Sequence, residues 1–225
     1  MIPEKDFVLV FANGMIEEMG WVEPYLARAV AIIAADGGLR YPVAAGRIPD
    51  LLIGDLDSLP ADIAETIETW EMEIIRHPRD KDETDLELAL LLAVRRYPNA
   101  TILVLGGTGG RLDHTVANIL LTAHPDLLGR SIRFLEDREL AWLVAGETEI
   151  IGRPGDTVSL IPLGGSARVA ETTGLRWPLT GDTLAFGPAR GISNEMTADR
   201  AMVCLESGLV LCVHIAQATG SVPPE

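Results

Sequence analysis

Short apolar runs recur along the first half of the chain, each stopped by glycine, aspartate or proline. Phe7–Phe11 ends at Ala12-Asn13-Gly14, Ala31–Ala35 at Asp36-Gly37-Gly38, Leu51–Ile53 at Gly54-Asp55, and Thr101–Leu105 at a glycine-rich turn. Runs this short and uniformly apolar predict strands buried on both faces. Between them the pattern is helical. A helix is expected across Val22–Val30, and a helical segment strained by Pro42 follows Gly38. Another opens at Pro60 and runs to about Glu71, since proline suits a first helical turn. Glu73–Arg76 reads as a strand closed by His77-Pro78. Thr84 and Glu87 form a capping box that opens a helix through about Arg96. Its interior, Leu86 to Val94, is apolar nearly all round, which predicts burial. A last helix is expected from Asp113 to about Ala123. Strand alternating with helix predicts a parallel sheet covered on both faces, a Rossmann-like α/β domain.

Past about Gly129 the pattern changes. Ile132–Leu135, Leu140–Val144, Thr157–Ile161, Arg168–Ala170, Thr183–Phe186, Ala201–Leu205 and Leu209–Ile215 are short and β-rich, separated by Gly, Pro or Asp. No amphipathic helix lies among them, so an antiparallel β-sandwich or barrel is expected. The expected domains are 1–129 (α/β) and 130–225 (all-β). Ser207-Gly208 reads as a hairpin turn that sets Cys204 opposite Leu211, near Cys212 without pairing to it. Ala216 to Glu225, small, polar and proline-rich, is expected to fray.

Charge narrows the function classes. The 225 residues carry a formal net charge of −15, which argues against a nucleic-acid surface, since that needs clustered Lys and Arg. Lys5 and Lys81 are the two lysines, and Lys81 is set inside an acidic stretch. No run approaches the ~18 apolar residues of a membrane span. The N-terminus lacks a basic segment followed by a long apolar one. Two cysteines without metal-type spacing read as reduced core thiols. Together these predict a cytoplasmic protein with neither membrane nor nucleic acid as partner.

The candidate chemistry lies at the ends of the predicted strands, which share one edge of a parallel sheet, where ligands bind. Asp36 follows one strand and Gly54-Asp55-Leu56-Asp57-Ser58 another; Asp80-Lys81-Asp82-Glu83-Thr84-Asp85 follows a third, and Gly106-Gly107-Thr108-Gly109-Gly110-Arg111-Leu112-Asp113-His114 a fourth. Each also has a local reading. Asp36 suits a turn, Asp55 and Asp57 a solvated strand end, and Thr84 and Asp113 helix caps. Convergence favours a site, because so many carboxylates stay ionised together only with cations, and Mg²⁺ on oxygen ligands is the natural candidate. Lys81 and Arg111 supply direct cationic contacts. The Gly106–Gly110 loop offers backbone N–H groups at a helix N-terminus, an anion site that is neither a P-loop nor G-x-G-x-x-G.

These residues resemble a known family. Ala35-Asp36-Gly37-Gly38, Pro49 through Ser58, Asp80 through Asp85 and Gly109 through His114 are similar, in order and approximate spacing, to thiamine pyrophosphokinase motifs. Thr172-Thr173-Gly174-Leu175-Arg176-Trp177 and Gly191-Ile192-Ser193-Asn194-Glu195 resemble that family's thiamine-binding β-domain. The resemblance implies transfer of a diphosphoryl group from ATP to the thiamine hydroxyl, giving thiamine diphosphate and AMP. It implies a homodimer with sites shared between subunits. It also implies that Asp55, Asp57, Asp82 and Asp85 hold Mg²⁺ and, with Arg111, carry catalysis. Asn13, Asp36, Gly37, Gly38, Lys81, Thr84, Gly109, Gly110, Arg111 and Asp113 would meet ATP. Trp177, Ser193 and Asn194 would meet thiamine, with Trp177 as an aromatic platform unless it is a core residue. Met196 stands where the resemblance leads one to expect an aromatic ring in some relatives.

Two other enzyme classes share parts of the pattern. A haloacid-dehalogenase-like phosphohydrolase would carry D-x-D-x-T/V after its first strand; here Leu59 fills the final slot, and the motif follows about the third strand. A diphosphokinase acting on a pterin alcohol would share the ATP half but not the β-domain. A non-catalytic nucleotide-binding module would be free to lose the acidic motifs present here.

Overall fold

The computed structural model describes residues 6–57, 59 and 61–217, and Cα packing divides the chain at Asp137/Arg138. In the first unit β1 (Phe7–Phe11) is buried at all five positions. It pairs in parallel with β2 (Ala31–Ala35) on one side and β5 (Thr101–Leu105) on the other. β3 (Leu51–Gly54) and β4 (Glu73–Arg76) extend the sheet beyond β2, and β6 (Ile132–Glu136) extends it beyond β5. The order is therefore β4-β3-β2-β1-β5-β6, all parallel, and it reverses between β1 and β5. That reversal opens a crevice at the carboxyl end of an α/β sheet. The Ile132 strand, expected in the β-rich half, pairs with β5, which places the division at 137/138 rather than 129/130.

Helices fill the crossovers. The stretch expected as a helix over 22–30 is helical only at α1 (Glu23–Leu26), because the Val30 N–H already bonds the Phe7 carbonyl (3.0 Å) to lead the chain into β2. A 3₁₀ turn at Asp36–Leu39 runs into α2 (Arg40–Ala44), which contains Pro42. α3 (Ala61–Thr66) is continued by a 3₁₀ turn at Ile67–Thr69; Pro60, expected to open it, lies outside the described residues. α4 (Asp85–Arg96) starts at the expected cap: the Thr84 hydroxyl accepts the Glu87 N–H at 3.2 Å. It buries Leu86, Ala89, Leu90, Ala93 and Val94 and leaves its other leucines half-buried. α5 is Leu112–Leu121, with Arg111 rather than Asp113 at the cap position. Asp113 falls inside the first turn, and its Oδ1 accepts the His114 N–H (3.0 Å).

The second unit is antiparallel. β7 (Glu139–Val144), β8 (Glu147–Ile151), β9 (Thr157–Thr173), β10 (Thr180–Leu184), β11 (Asn194–Glu195) and β12 (Arg200–Ile215) make it up. β9 and β12 form one long ribbon. Its Val210–Ile215 half is flanked by β7 and, across β9, by β11; its Arg200–Cys204 half is flanked by β8 and, across β9, by β10. Two four-stranded leaves therefore share the same two strands. The expected hairpin at Ser207-Gly208 does not form. The signal becomes a bulge inside β12, with register shifts between Cys204 and Leu209. Gly208 (φ +87°) is needed there, because a Cβ would lie 2.7 Å from the Ala167 Cα. Cys204 and Cys212 are thus far apart on one strand, facing Glu171 and Leu160 across the ribbon. Neither makes a disulfide. No helix of the described residues is long and apolar enough to cross a membrane.

Candidate active site

The loops after β1, β2, β3 and β5, with the segment before α4, line a cleft of about 600 Å³ at the carboxyl edge of the parallel sheet. Asp36 is the first residue after β2 and sits at φ +47°, a left-handed conformation uncommon for non-glycine residues and frequent at functional sites. Gly54 at the end of β3 (φ +153°) makes room for it: a Cβ there would lie 3.0 Å from the Asp36 Cβ. Beyond Gly54, Leu56 also takes positive φ (+65°), its side chain packed against the Leu39–Leu52–Ile67 core. The Asp55 Oδ1 accepts the Asp57 N–H (3.1 Å), closing an Asx-turn. Asp36, Asp55 and Asp57 each bring one oxygen within 4.8 Å of the others.

Electrostatics follow from this crowding. Burial, and then the charges of Asp85, Asp55 and Asp57, push the Asp36 carboxyl above its ordinary range against a lowering hydrogen bond from Gly37. Asp55 is lowered instead, first by the Asp57 N–H, which outweighs burial, with Lys81 and Arg79 adding smaller lowering effects. Lys81 Nζ lies 3.0 Å from Asp85 Oδ1 and 3.9 Å from Asp55 Oδ2, with only 11% of its side chain exposed. Arg79 Nε is 3.3 Å from Asp57 Oδ2. Asp82 is exposed and stands outside the three-carboxylate group.

The opposite wall is the Gly106–Gly110 loop. α5 holds it from behind: Asn118 Nδ2 donates to the Gly107 carbonyl (2.7 Å) and the Thr115 hydroxyl to that of Thr108 (2.9 Å). The loop also touches the β1 loop closely, the Gly14 N–H bonding the Gly106 carbonyl at 2.9 Å. A Cβ at Gly109 would lie 2.1 Å from the Met15 carbonyl oxygen, so glycine is obligatory there for packing. Gly38 has the same role, since a Cβ there would lie 2.2 Å from the Phe11 carbonyl oxygen, while one at Gly37 would meet the Asn13 side chain at 2.5 Å. Arg111 is exposed and grips its neighbour Asp113 through two bonds, 2.6 and 3.1 Å. That pairing holds the Asp113 carboxyl at about 2.

Three cleft residues escaped sequence reasoning. Arg40 bonds the Asn13 side chain and carbonyl, the Gly14 and Gly37 carbonyls and the Tyr41 hydroxyl, tying the β1 loop to the β2 turn. Arg79 and Asn118 are the others. An asparagine between Ala117 and Ile119 in an apolar helix was a readable signal; the two arginines carried none.

In the second unit a smaller cleft, about 380 Å³, is lined by Leu160, Trp177, Leu179, Arg190, Ser193 and Asn194 among others. Trp177 is 55% exposed and is not a core residue. The Arg176 guanidinium lies 5.1 Å from its ring centroid and pairs with Glu195 (3.1 Å). Ser193 has φ +57°, and its N–H bonds the Ser159 hydroxyl (3.0 Å). Met196 is fully buried and bridges to Leu175, so it offers no surface for stacking.

A parallel sheet whose acidic and glycine-rich loops gather at its point of reversal, followed by an antiparallel unit with an exposed tryptophan, defines a two-part α/β plus β protein with one charged and one aromatic cleft. Two family models match it: the catalytic domain of thiamin pyrophosphokinase over residues 22–133 and its vitamin B1 binding domain over 147–210. The Bacillus subtilis (strain 168) thiamine pyrophosphokinase is 29% identical over 184 residues, spanning 81% of this chain and 86% of that one. Its crystal structure superposes with a TM-score of 0.84 at 26% identity, over 95% of this chain and all of that one (100%). Thiamine pyrophosphokinases 1 and 3 of Oryza sativa subsp. japonica are 28% and 30% identical over 74% and 71% of this chain. The matches span 66% and 62% of their lengths, so the chain covers just under two thirds of those two relatives. The chain belongs to the thiamin pyrophosphokinase family.

Proposed function

We propose that the protein transfers a diphosphoryl group from ATP to the hydroxyl of thiamine, releasing AMP. The observation that carries this reading is the cluster of Asp36, Asp55 and Asp57 facing the Gly106–Gly110 loop, in a chain that also bears the Trp177 cleft. The hydroxyl oxygen attacks the β-phosphorus, the bond from that phosphorus to the α,β-bridging oxygen breaks, and AMP leaves with the bridging oxygen. The hydroxyl proton goes to a cleft carboxylate. Little covalent chemistry falls to the protein, so its residues act by positioning and by neutralising charge.

The donor set suits Mg²⁺. It is all oxygen, and its carboxylate oxygens lie close enough together to share one hard cation. Burial first, and then the charges of Asp85, Asp55 and Asp57, raise the Asp36 carboxyl, and a cation held here would offset those charges. Asp55 and Asp57 would hold the ion with Asp36 beside them, and Asp82 and Asp85 remain in the proposed set through their shared motif. Bound there, Mg²⁺ would neutralise the polyphosphate charge. Lys81 is held ready by Asp85 and Asp55 for a phosphate oxygen, and Arg111 reaches the phosphates by exchanging its bond to Asp113. Asn13, Thr84, Gly109 and Gly110 shape the nucleotide side, and Trp177 with Ser193 the thiamine side, where a cationic aromatic ring gains from stacking.

A homodimer with shared sites, and a cytoplasmic location with ATP as co-substrate, belong to the same proposal. Pterin diphosphokinase and phosphohydrolase readings are not favoured, because the β unit matches the vitamin B1 binding model. Incubation with ATP, Mg²⁺ and thiamine, followed by identification of the nucleotide product, tests the reading. AMP with thiamine diphosphate is expected. ADP with a monophosphate, or phosphate release alone, overturns it.

A further inference from the structure

We infer that Asn194 is a positioning residue for Trp177 and not itself a contact to the bound ring, an inference that rests on the thiamine reading of this cleft. Trp177 lies between β9 and β10, where its backbone has no strand partner. Asn194, only 8% exposed, takes the place of one. Its Oδ1 accepts the Trp177 N–H (3.1 Å) and its Nδ2 donates to the Trp177 carbonyl (2.7 Å). The same Oδ1 also accepts the Glu195 N–H (2.9 Å). An amide has two acceptor sites and two N–H donors. Both acceptor sites and one donor are therefore committed to the chain itself.

The backbone around this clamp is hydrogen-bonded on both sides. The Arg176 N–H bonds the Glu195 carbonyl (2.9 Å), and Thr172 and Leu179 exchange backbone and hydroxyl bonds at 2.8 Å on the far side of Trp177. Behind Asn194, Met196 bonds the Asp156 carbonyl through its N–H (2.8 Å) and the Gly155 N–H through its carbonyl (2.8 Å). The result is a tryptophan more than half exposed on a backbone held at every polar group. Such pre-ordering spares a stacking ligand the entropy of fixing the ring.

Two measurements test this together. The first is the fluorescence anisotropy of Trp177 without ligand, taken as the difference between each protein and its Trp177→Phe counterpart, which removes Trp21, Trp70 and Trp142 from the signal. Asn194→Ala should lower it. Asn194→Asp, which keeps the acceptor and loses the donor, should lower it less; the variant that folds best decides. The second is a cycle in KM for thiamine. Asn194→Ala and Trp177→Ala should each raise KM about tenfold with kcat little changed, and the double variant should match Trp177→Ala alone, as coupled residues do. Multiplying KM effects would mean that Asn194 touches the substrate directly and would overturn the inference; so would unchanged anisotropy in a folded Asn194 variant. If the wild type does not turn over thiamine, the functional reading fails, and the anisotropy still decides whether Asn194 fixes the ring.

Discussion

Asp55 and Asp57 stand one residue apart, yet the positive φ of Leu56 and the Asx-turn bring their carboxylates into the same small volume as Asp36. Asp→Asn at either position keeps shape and removes charge. Turnover should fall by about a hundredfold or more, the scale on which preorganised electrostatics acts. A second readout needs no substrate. A cation that binds only the folded state stabilises it by RT ln(1 + [L]/Kd), about 2.7 kcal/mol at a hundredfold excess over Kd. Wild-type melting should therefore rise with Mg²⁺ and fall back with EDTA, while both variants show little rise. Equal Mg²⁺ shifts in all three proteins would remove these carboxylates from the metal site. Arg111→Lys should also be costly, at about tenfold or more in turnover, because a point charge cannot replace a planar fork; full activity would reduce Arg111 to background charge. At this scale the acidic residues were legible because chain order alone sends strand ends to one edge. Arg40 and Arg79 were not legible, since an arginine's reach is set by tertiary neighbours such as Asn13 and Asp57.

The elements separate into those set by local signals and those set by pairing. α4 begins where Thr84 and Glu87 require, and Thr84→Ala should cost about 1 kcal/mol through the lost cap. Thermal melting checks this, and an unchanged melting temperature would mean that the cap contributes nothing to stability. The long β9–β12 ribbon was not legible, because glycine marks a bulge as readily as a turn and only the partner strand distinguishes them. Its end is locked by Asp156, a buried carboxylate. Burial raises it, but bonds from the Gln217 N–H, His214 and the Arg153 N–H outweigh that and leave it below its ordinary value. A lowered folded-state pKa gives stability that is present above the unfolded value, about 3.9, and lost as pH falls through the folded one. Denaturation curves should show stability dropping as pH is lowered from 5 toward 2 (approximate limits), and Asp156→Asn should flatten that slope. An unchanged slope would mean that other carboxylates govern the acid limb.

At the scale of the whole molecule, the nucleotide-type loops all lie in the first unit and the exposed tryptophan in the second. Such a division suits a two-fold pairing in which one subunit's β unit serves the other's acidic cleft, and two-fold dimers are the commonest closed assembly. Leu112, Val116 and Leu120 follow one another at helical spacing along α5, 75%, 49% and 50% exposed, and on the proposed dimer reading they are a face that a second copy would cover. Light scattering should give twice the monomer mass. Sharing of sites has a sharper test. Asp57→Asn lacks one proposed metal carboxylate, and a Trp177→Ala, Ser193→Ala subunit, assayed below its KM for thiamine, lacks the proposed aromatic side. With shared sites, subunit exchange between them creates heterodimers with one site doubly damaged and one intact, so the mixture should exceed the sum of its parents. If exchange is verified and activity stays at that sum, each site is built from a single chain.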